Sequence, residues 1–484
     1  MSRRIFPGLI AGFTCLASIA VGAQSGTLPT ASPAQRAEAR DIFKQLIEIN
    51  TTDSPMGSVT AAAKAMQKRF VDAGFAPDDM HLLGPDPNKM NLIVRMRAAS
   101  PASQKPILFL GHLDVVEALP SDWHTNPFEF VEKDGYFYGR GTQDMKESDA
   151  ALVWTFLRLH REGFKPKRDL ILALTADEEG GKFNGPQWLV QNNRDLVDCA
   201  FVINMDAGGV ELDHGRPVVA DVEATEKVYA DYVVTALNPG GHSSRPRPDN
   251  AIYELMIALN KLASYSFPFE LNGVTRTYFE NLEKQERGQT AQDIKAVLAT
   301  PPDKVAASRL SAEPDFNSNF RTTCVATMLK AGHARNALPQ TAEANVNCRI
   351  FPGHSPEEIR EELVKLFSDP KLSVKYISDA GGISDTAPER KAIVPPPPIK
   401  EVFEPLTRIT QQIWPGIPVT PVMENGASDS IHFAQVGIPS YGYSAIALER
   451  DDDRAHGQDE RLPVDSYWKS LDFFYAFTKA LGSE

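Results

Sequence analysis

The chain has 484 residues, 42% of them apolar and 23% charged, with a formal net charge of −13. That length exceeds one average domain and points to two or three, and the composition supports a sizeable core while excluding a globally disordered chain. The acidic balance argues against nucleic acid as a general partner, because binding phosphates calls for basic patches.

The N-terminus opens on "MSRR", runs uncharged from Ile5 to Ala23 and closes on "VGA". A basic start, an apolar stretch and small residues before the cut form the pattern of a secretory signal peptide. Residues 1–23 are therefore predicted to direct export, to the periplasm or the outside, with cleavage after Ala23. The stretch is long enough to consider as a membrane anchor. However, Pro7, Gly8, Gly12, Thr14 and Ser18 make it a poor permanent helix, so no stable span is expected in the mature chain. "SRRIF" also resembles the start of a twin-arginine signal, a pattern from which Pro7 and Gly8 depart.

Beyond it, Ile42, Phe43, Leu46 and Ile47 recur at helical spacing, and a second helix is predicted over about 58–74. "NLIVRM" (91–96), "PILFLG" (106–111), "DLILALT" (169–175) and "AFVINM" (200–205) read as buried strands, with a helix over about 145–162. Continuous apolar strands separated by helices predict an α/β domain with a largely parallel sheet. Near residue 225 the pattern changes. "KVYADYVVTAL" alternates like a half-exposed strand, a helix follows over about 249–263, and "TTCVATMLKAG" and "AEANVNCRIF" read as a strand pair. "SPEEIREELVKLFS" is a helix and "KLSVKYIS" a strand. The order β-α-β-β-α-β predicts a ferredoxin-like α+β domain, to which residues 265–320 are extra. "IVPPPPIK" (393–400) reads as a stiff link, after which helix, strand and helix return. The expected organisation is a catalytic domain in two parts, 24–224 and 389–484, with an inserted domain over 225–388.

Cys15 leaves with the signal, so Cys199, Cys324 and Cys348 remain, an odd count with wide spacing. Cys324 and Cys348 could meet across a hairpin and pair after export, but buried free thiols are the expectation.

The chemistry sits at strand ends. "LFLGHLD" places His112 and Asp114 beyond one strand, and "LTADEEGG" places Glu178 and Glu179 beyond another. "VINMDAGG" places Asp206 beyond a third, and "YGRGTQDMK" sets Asp144 in a glycine-rich loop before a helix. In open α/β sheets the ligand crevice lies outside the carboxyl ends of the strands, so these groups converge. Crowded carboxylates would resist ionisation in one cleft without a cation. A divalent metal removes that conflict, and imidazole with carboxylate suits zinc in a two-metal site, with cobalt or manganese able to take similar ligands.

The segments "GHLDVV", "GRGTQDMK", "ADEEGG", "MDAGG" and "AHGQDER" resemble the dinuclear-zinc hydrolases that include glutamate carboxypeptidase, carboxypeptidase S, aminoacylase and related dipeptidases. The likeness runs from about residue 40 to the C-terminus and implies a mostly parallel-sheet zinc-peptidase catalytic domain with an inserted ferredoxin-like lid and dimerisation domain. It implies two zinc ions bridged by Asp144, with His112 and Asp206 completing one site and Glu179 and His456 the other. Glu178 is implied as the general base, and Asp114 as the group that steadies the His112 ring. "NPGGHSSRP" supplies His242, which matches the lid histidine that steadies the oxyanion and in dimeric members crosses the subunit interface; monomer and homodimer both stay open. Asn336 and Arg349 match residues that hold a substrate carboxylate, a task suited to the planar guanidinium fork. Gly426 and Ser428, in "ENGASDS", match positions lining the substrate pocket. Asp206 stands where many relatives carry Glu, and the extra 265–320 segment with "GHSSRP" leans toward the carboxypeptidase S-like branch.

The resemblance implies hydrolysis of a small peptide or an N-acyl amino acid beside a free carboxylate, with those two substrate classes nearly equal choices. An aminopeptidase of the same family would need an acid to grip a substrate amine, and none stands out. A non-catalytic binding protein on this fold would be marked by a lost ligand or base, yet every expected position is occupied. A serine hydrolase is disfavoured by the lack of a GxSxG elbow.

Overall fold

The computed structural model describes residues 28–100, 103–378, 381–388, 393, 395 and 397–483. The signal-peptide segment lies outside the described residues, as does part of the proline-rich link. Among the described residues no helix is long and apolar enough to cross a membrane.

A ten-stranded mixed sheet forms the larger body. Its centre sets Leu170–Thr175, Ile107–His112, Phe201–Asn204 and Ser440–Gly442 side by side and parallel. The Asn91–Met96 strand pairs antiparallel with the Leu170–Thr175 edge of that group. The apolar runs are continuous because both faces are covered. Leu92, Val94, Ile107, Phe109, Leu170, Leu172 and Ile203 enter one core, whereas Ile93, Leu108, Leu110, Ile171, Ala173 and Val202 enter another. Helices Pro33–Ile47, Lys146–Arg161 and Val464–Leu481 cover the first face. Leu189 and Phe433, from two shorter helices, cover the second. Each fully buried Leu, Ile or Phe contributes about 1.5–3 kcal/mol. This two-sided burial holds the strand ends, and the loops that leave them, in fixed positions.

Residues 228–384 build a second, five-stranded antiparallel sheet with its own core. Its four long strands, Val228–Leu237, Thr323–Ala331, Thr341–Ile350 and Leu372–Ile377, follow the expected β-α-β-β-α-β order. Spatially they run second, third, first, fourth, the ferredoxin-like arrangement. Val228, Ala230, Tyr232, Val234 and Ala236 face helices Ala251–Ala263 and Pro356–Phe367. The alternate residues lie on the face that carries no helix.

The extra segment forms four helices, Gly273–Gln285, Gly288–Leu298, Lys304–Leu310 and Pro314–Asn319, around a small core in which Phe279 stacks on Phe320 at 4.6 Å. Its first helix lies against the large-sheet strand Val419–Glu424, where Asn281 Nδ2 donates to Thr420 Oγ1 at 3.3 Å.

One cysteine expectation is overturned. Cys324 and Cys348 are not free thiols but form a disulfide. They stand directly opposite in register on paired antiparallel strands, with Cα atoms 4.1 Å apart. Sequence spacing hides this because the hairpin carries a β-bulge between Ala326 and Met328 and a long connection. Among the described residues Cys199 is the free thiol, and its burial pushes it up to about 12.

Candidate metal centre

His112 ends its strand with both ring nitrogens engaged. Nδ1 lies 3.1 Å from the main-chain carbonyl of Asp114. A carbonyl can only accept, so Nδ1 carries a hydrogen there and Nε2 is the nitrogen that can take a further proton or face a metal. Nε2 sits 3.1 Å from Asp144 Oδ1 and 3.3 Å from Asp206 Oδ1. On the other side of Asp144, Oδ2 is 2.9 Å from His456 Nε2, which is also 2.9 Å from Glu179 Oε2. Asp144 therefore stands between two histidines, one facing each carboxylate oxygen. His112, Asp144 and Glu179, and likewise His112, Glu178 and Asp206, bring ligand atoms within 4.8 Å of one another.

The cluster "ADEE" divides. Asp177 adopts a left-handed conformation, φ 59°, and turns away from its neighbours. Its buried carboxylate pairs with Lys89 and accepts the Phe183 N–H at 3.1 Å. Glu178 and Glu179 face the centre, and both donate their main-chain N–H to the Asp114 carboxylate, at 3.2 and 3.0 Å. Asp114 thus acts through two groups. Its carbonyl fixes the His112 ring, and its carboxylate, 3.8 Å from Nδ1, chiefly anchors the Glu178–Glu179 turn.

Charge is strained in this crowd. Burial, with Asp206 next, pushes Glu178 up to about 10. Burial also lifts Asp206 to about 6. Burial works against ionising Asp144 too, yet hydrogen bonds from His112 and His456 hold it well below the usual carboxylate range. The histidines answer in kind. Hydrogen bonds to Asp144 and then Glu179 raise His456 to about 10. For His112 burial opposes the proton, but Asp206 and Asp144 outweigh it and raise the ring well above its usual value. Protons on two imidazoles supply the positive charge the acids require. Two divalent cations would supply more of it, and the mixed N/O donor set suits them.

Asp144, Glu178, Glu179, Asp206, His456, Gly426 and Ser428 line one cavity of about 330 Å³. Gly426 N–H donates to Glu424 Oε1 at 2.9 Å and Ser428 N–H to Glu226 Oε2 at 2.6 Å, which fixes that wall. A neighbouring cavity of about 570 Å³ shares Asp206 and Glu424 and takes Tyr278 and Asn319 from the extra helical segment.

Other expected residues stand elsewhere. His242 and Asn336 share a short ribbon, in which Gly241–His242 pairs with Ala337–Leu338 and Ser243 N–H donates to the Asn336 carbonyl at 3.1 Å. Both are exposed and outside the cavity lining. His242 Nδ1 accepts the Ser244 N–H at 3.1 Å, which turns Nε2 outward. Arg349 lies on the helix-free side of the small sheet, over the Tyr229 ring at 4.8 Å. Its Nη1 is buried without a hydrogen-bond partner. Two residues went unnamed in the sequence although the quoted motifs contain them: Arg140 of "GRGTQDMK" and Glu460 of "AHGQDER". Their signal was the opposite charge of two otherwise unexplained motif positions.

Residues 108–480 match the model of peptidase family M20/M25/M40. The N-fatty-acyl-amino acid synthase/hydrolase PM20D1 of Xenopus tropicalis is 30% identical over 377 residues, covering 76% of this chain and 71% of that protein. The probable carboxypeptidase S-like 2 of Dictyostelium discoideum is 30% identical over 402 residues, covering 78% and 72%. Among solved structures, an M20 family metallo-carboxypeptidase from Sulfolobus solfataricus aligns with a TM-score of 0.65 at 16% identity, covering 92% of this chain and 99% of that one. The matched span contains every residue of the cavity and of the ribbon, and the chain belongs to peptidase family M20/M25/M40.

Proposed function

We propose that this chain is an exported zinc hydrolase that cleaves a small peptide, or an N-acyl amino acid, at the amide bond beside a free carboxylate. The observation that carries the reading is Asp144, whose two oxygens face two different histidines. His112, Asp144 and Asp206 would hold one ion, and Asp144, Glu179 and His456 the other. When bound, such ions supply Lewis acidity and make water acidic at neutral pH.

The protein's own groups do the rest. Glu178 touches neither histidine at bonding distance, so it is free to move protons. With cations in place its carboxyl ionises, takes a proton from the attacking water and returns it to the leaving amine. Asp114 holds Glu178 in place through its N–H and keeps His112 in one tautomer. Arg349, whose Nη1 has no hydrogen-bond partner, would take the substrate carboxylate with Asn336, and the outward nitrogen of His242 would meet developing negative charge. Because all three stand outside the cavity of this chain, these roles call for approach of the small domain or for that of a second copy. Gly426 and Ser428 keep the cavity wall open to the scissile bond.

Metal analysis of the purified protein, then a panel of dipeptides, N-acyl amino acids and their C-terminal amides, tests the reading. Two ions per chain are expected, with free-acid substrates hydrolysed much faster than their C-terminal amides. Arg349→Ala should raise KM for the free acids while leaving slow hydrolysis of amides unchanged. Equal weakening of both classes would remove Arg349 from this role.

A further inference from the structure

The loop that carries Asp144 and the loop that carries His456 are more than three hundred residues apart in the chain. One buried ion pair ties them together. Glu460 is 0% exposed and Arg140 2%. The Glu460 carboxylate accepts Arg140 Nη1 at 2.5 Å, together with the main-chain N–H groups of Gly141 at 3.1 Å, Gln143 at 2.7 Å and Asp144 at 3.3 Å. Arg140 Nη2 donates to the carbonyls of His456 at 3.2 Å and Gly457 at 3.0 Å. The pair therefore grips the backbone of both candidate ligands without touching their side-chain ligand atoms.

A carboxylate taken wholly out of water is tolerated only when its charge is paired and its lone pairs are used. Here those partners are drawn from a single loop, which pins the peptide units leading into Asp144. The other end has its own need. His456 sits at φ 61°, a left-handed conformation that a histidine holds only where its surroundings impose it. The Arg140 donation to its carbonyl is such a restraint.

We propose that Arg140 and Glu460 are positioning residues that hold Asp144 and His456 at metal-bridging spacing before any ion arrives. This rests on the two-metal reading above. A shared ligand must satisfy two centres at once, so a loop displacement of about half an ångström removes it from at least one. The pair should therefore govern affinity for the ion held by Asp144, Glu179 and His456 more than it governs substrate affinity.

The test is a zinc titration of the full-length, metal-stripped protein against a chromophoric chelator, with stoichiometry read by elemental analysis. Glu460→Gln keeps the shape and removes the charge. Because that variant strands a buried guanidinium, Arg140→Met with Glu460→Met serves beside it; replacing both partners by apolar groups avoids an unpaired charge. Each should bind its weaker zinc about 10–100-fold less tightly, keep a cooperative melting transition, and recover turnover in excess zinc with KM little altered. A merely structural pair would lower the melting temperature and leave both zinc affinities within about twofold of wild type, which would overturn the proposal. Wild-type protein binding fewer than two ions would instead sink the two-metal reading, and this inference with it.

Discussion

Loading the centre with metal should expel protons, and the number can be worked from the geometry. His112 and His456 both retain a proton at pH 7 in the metal-free molecule, because Asp144, Asp206 and Glu179 surround their Nε2 atoms. An imidazole must be neutral to bind a metal. Filling both sites therefore displaces about two protons from these rings, and the combined affinity should rise about a hundredfold per pH unit near neutrality. Glu178, pushed up to about 10 by burial, adds to this number when the cations ionise it. Stability should follow with a definite sign. A histidine raised to about 10, as His456 is, contributes stability that is full below the unfolded value and lost as pH rises through 10. Asp206, raised to about 6, acts in the same sense, because its folded state holds the proton longer than the unfolded chain does. Metal-free protein should therefore melt at lower temperature as pH climbs, while the loaded protein gains, so the gap between them widens. Competition titrations between about pH 6.5 and 8, with calorimetry in buffers of different ionisation enthalpy, measure the release directly. Release of fewer than one proton per chain would refute the assignment of both histidines as ligands.

Three further outcomes follow from particular atoms. Glu178→Ala should retain two ions by elemental analysis and lose about 10²–10⁴ in kcat; near wild-type turnover would remove Glu178 as the base. Gly111→Ala would set a methyl group 2.2 Å from Asp149 Oδ1 and 3.1 Å from Met145 Cε, directly beneath His112. Such overpacking costs about 1–3 kcal/mol, read as a shifted denaturation midpoint, and an unmoved midpoint would show that helix Lys146–Arg161 yields freely. Replacing Cys324 and Cys348 together by serine opens a link between residues 24 apart and should cost about 3 kcal/mol, with the metal titration unchanged. A loss of metal binding in that variant would mean that the small sheet supports the centre in a way its contacts do not suggest.

The centre was legible in the sequence where local pattern and chemistry coincide. Apolar runs such as Leu170–Thr175 mark strands buried on both faces, and the polar residues that follow must sit at one edge of the sheet. Periodicity likewise gave the order of the small domain's elements. It could not show the long strand Arg216–Glu226, whose apolar positions are interrupted by acids at Asp221, Glu223 and Glu226. Nor could it decide which member of "ADEE" faces inward, because that depends on one left-handed residue, Asp177, and on a lysine 88 positions earlier. The Cys324–Cys348 bond was hidden for the same reason: a bulge shifts the register that spacing alone would assume.

The residues hardest to find are those whose work is done through the backbone. Sequence motifs advertise side chains that could meet a ligand, and His112, Asp144, Glu178, Glu179, Asp206 and His456 are of that kind. Arg140 and Glu460, which went unnamed in the sequence, and the Asp114 carboxylate, named there only for the His112 ring, instead bind peptide N–H and carbonyl groups, which every residue carries and no composition reveals. Their burial is what makes this effective. A carboxylate in water exchanges its partners freely, whereas one that is fully buried keeps the loops it has captured. The acids of this centre thus divide into those that a cation would neutralise and those already neutralised by the chain itself. The second kind fixes where the first can stand.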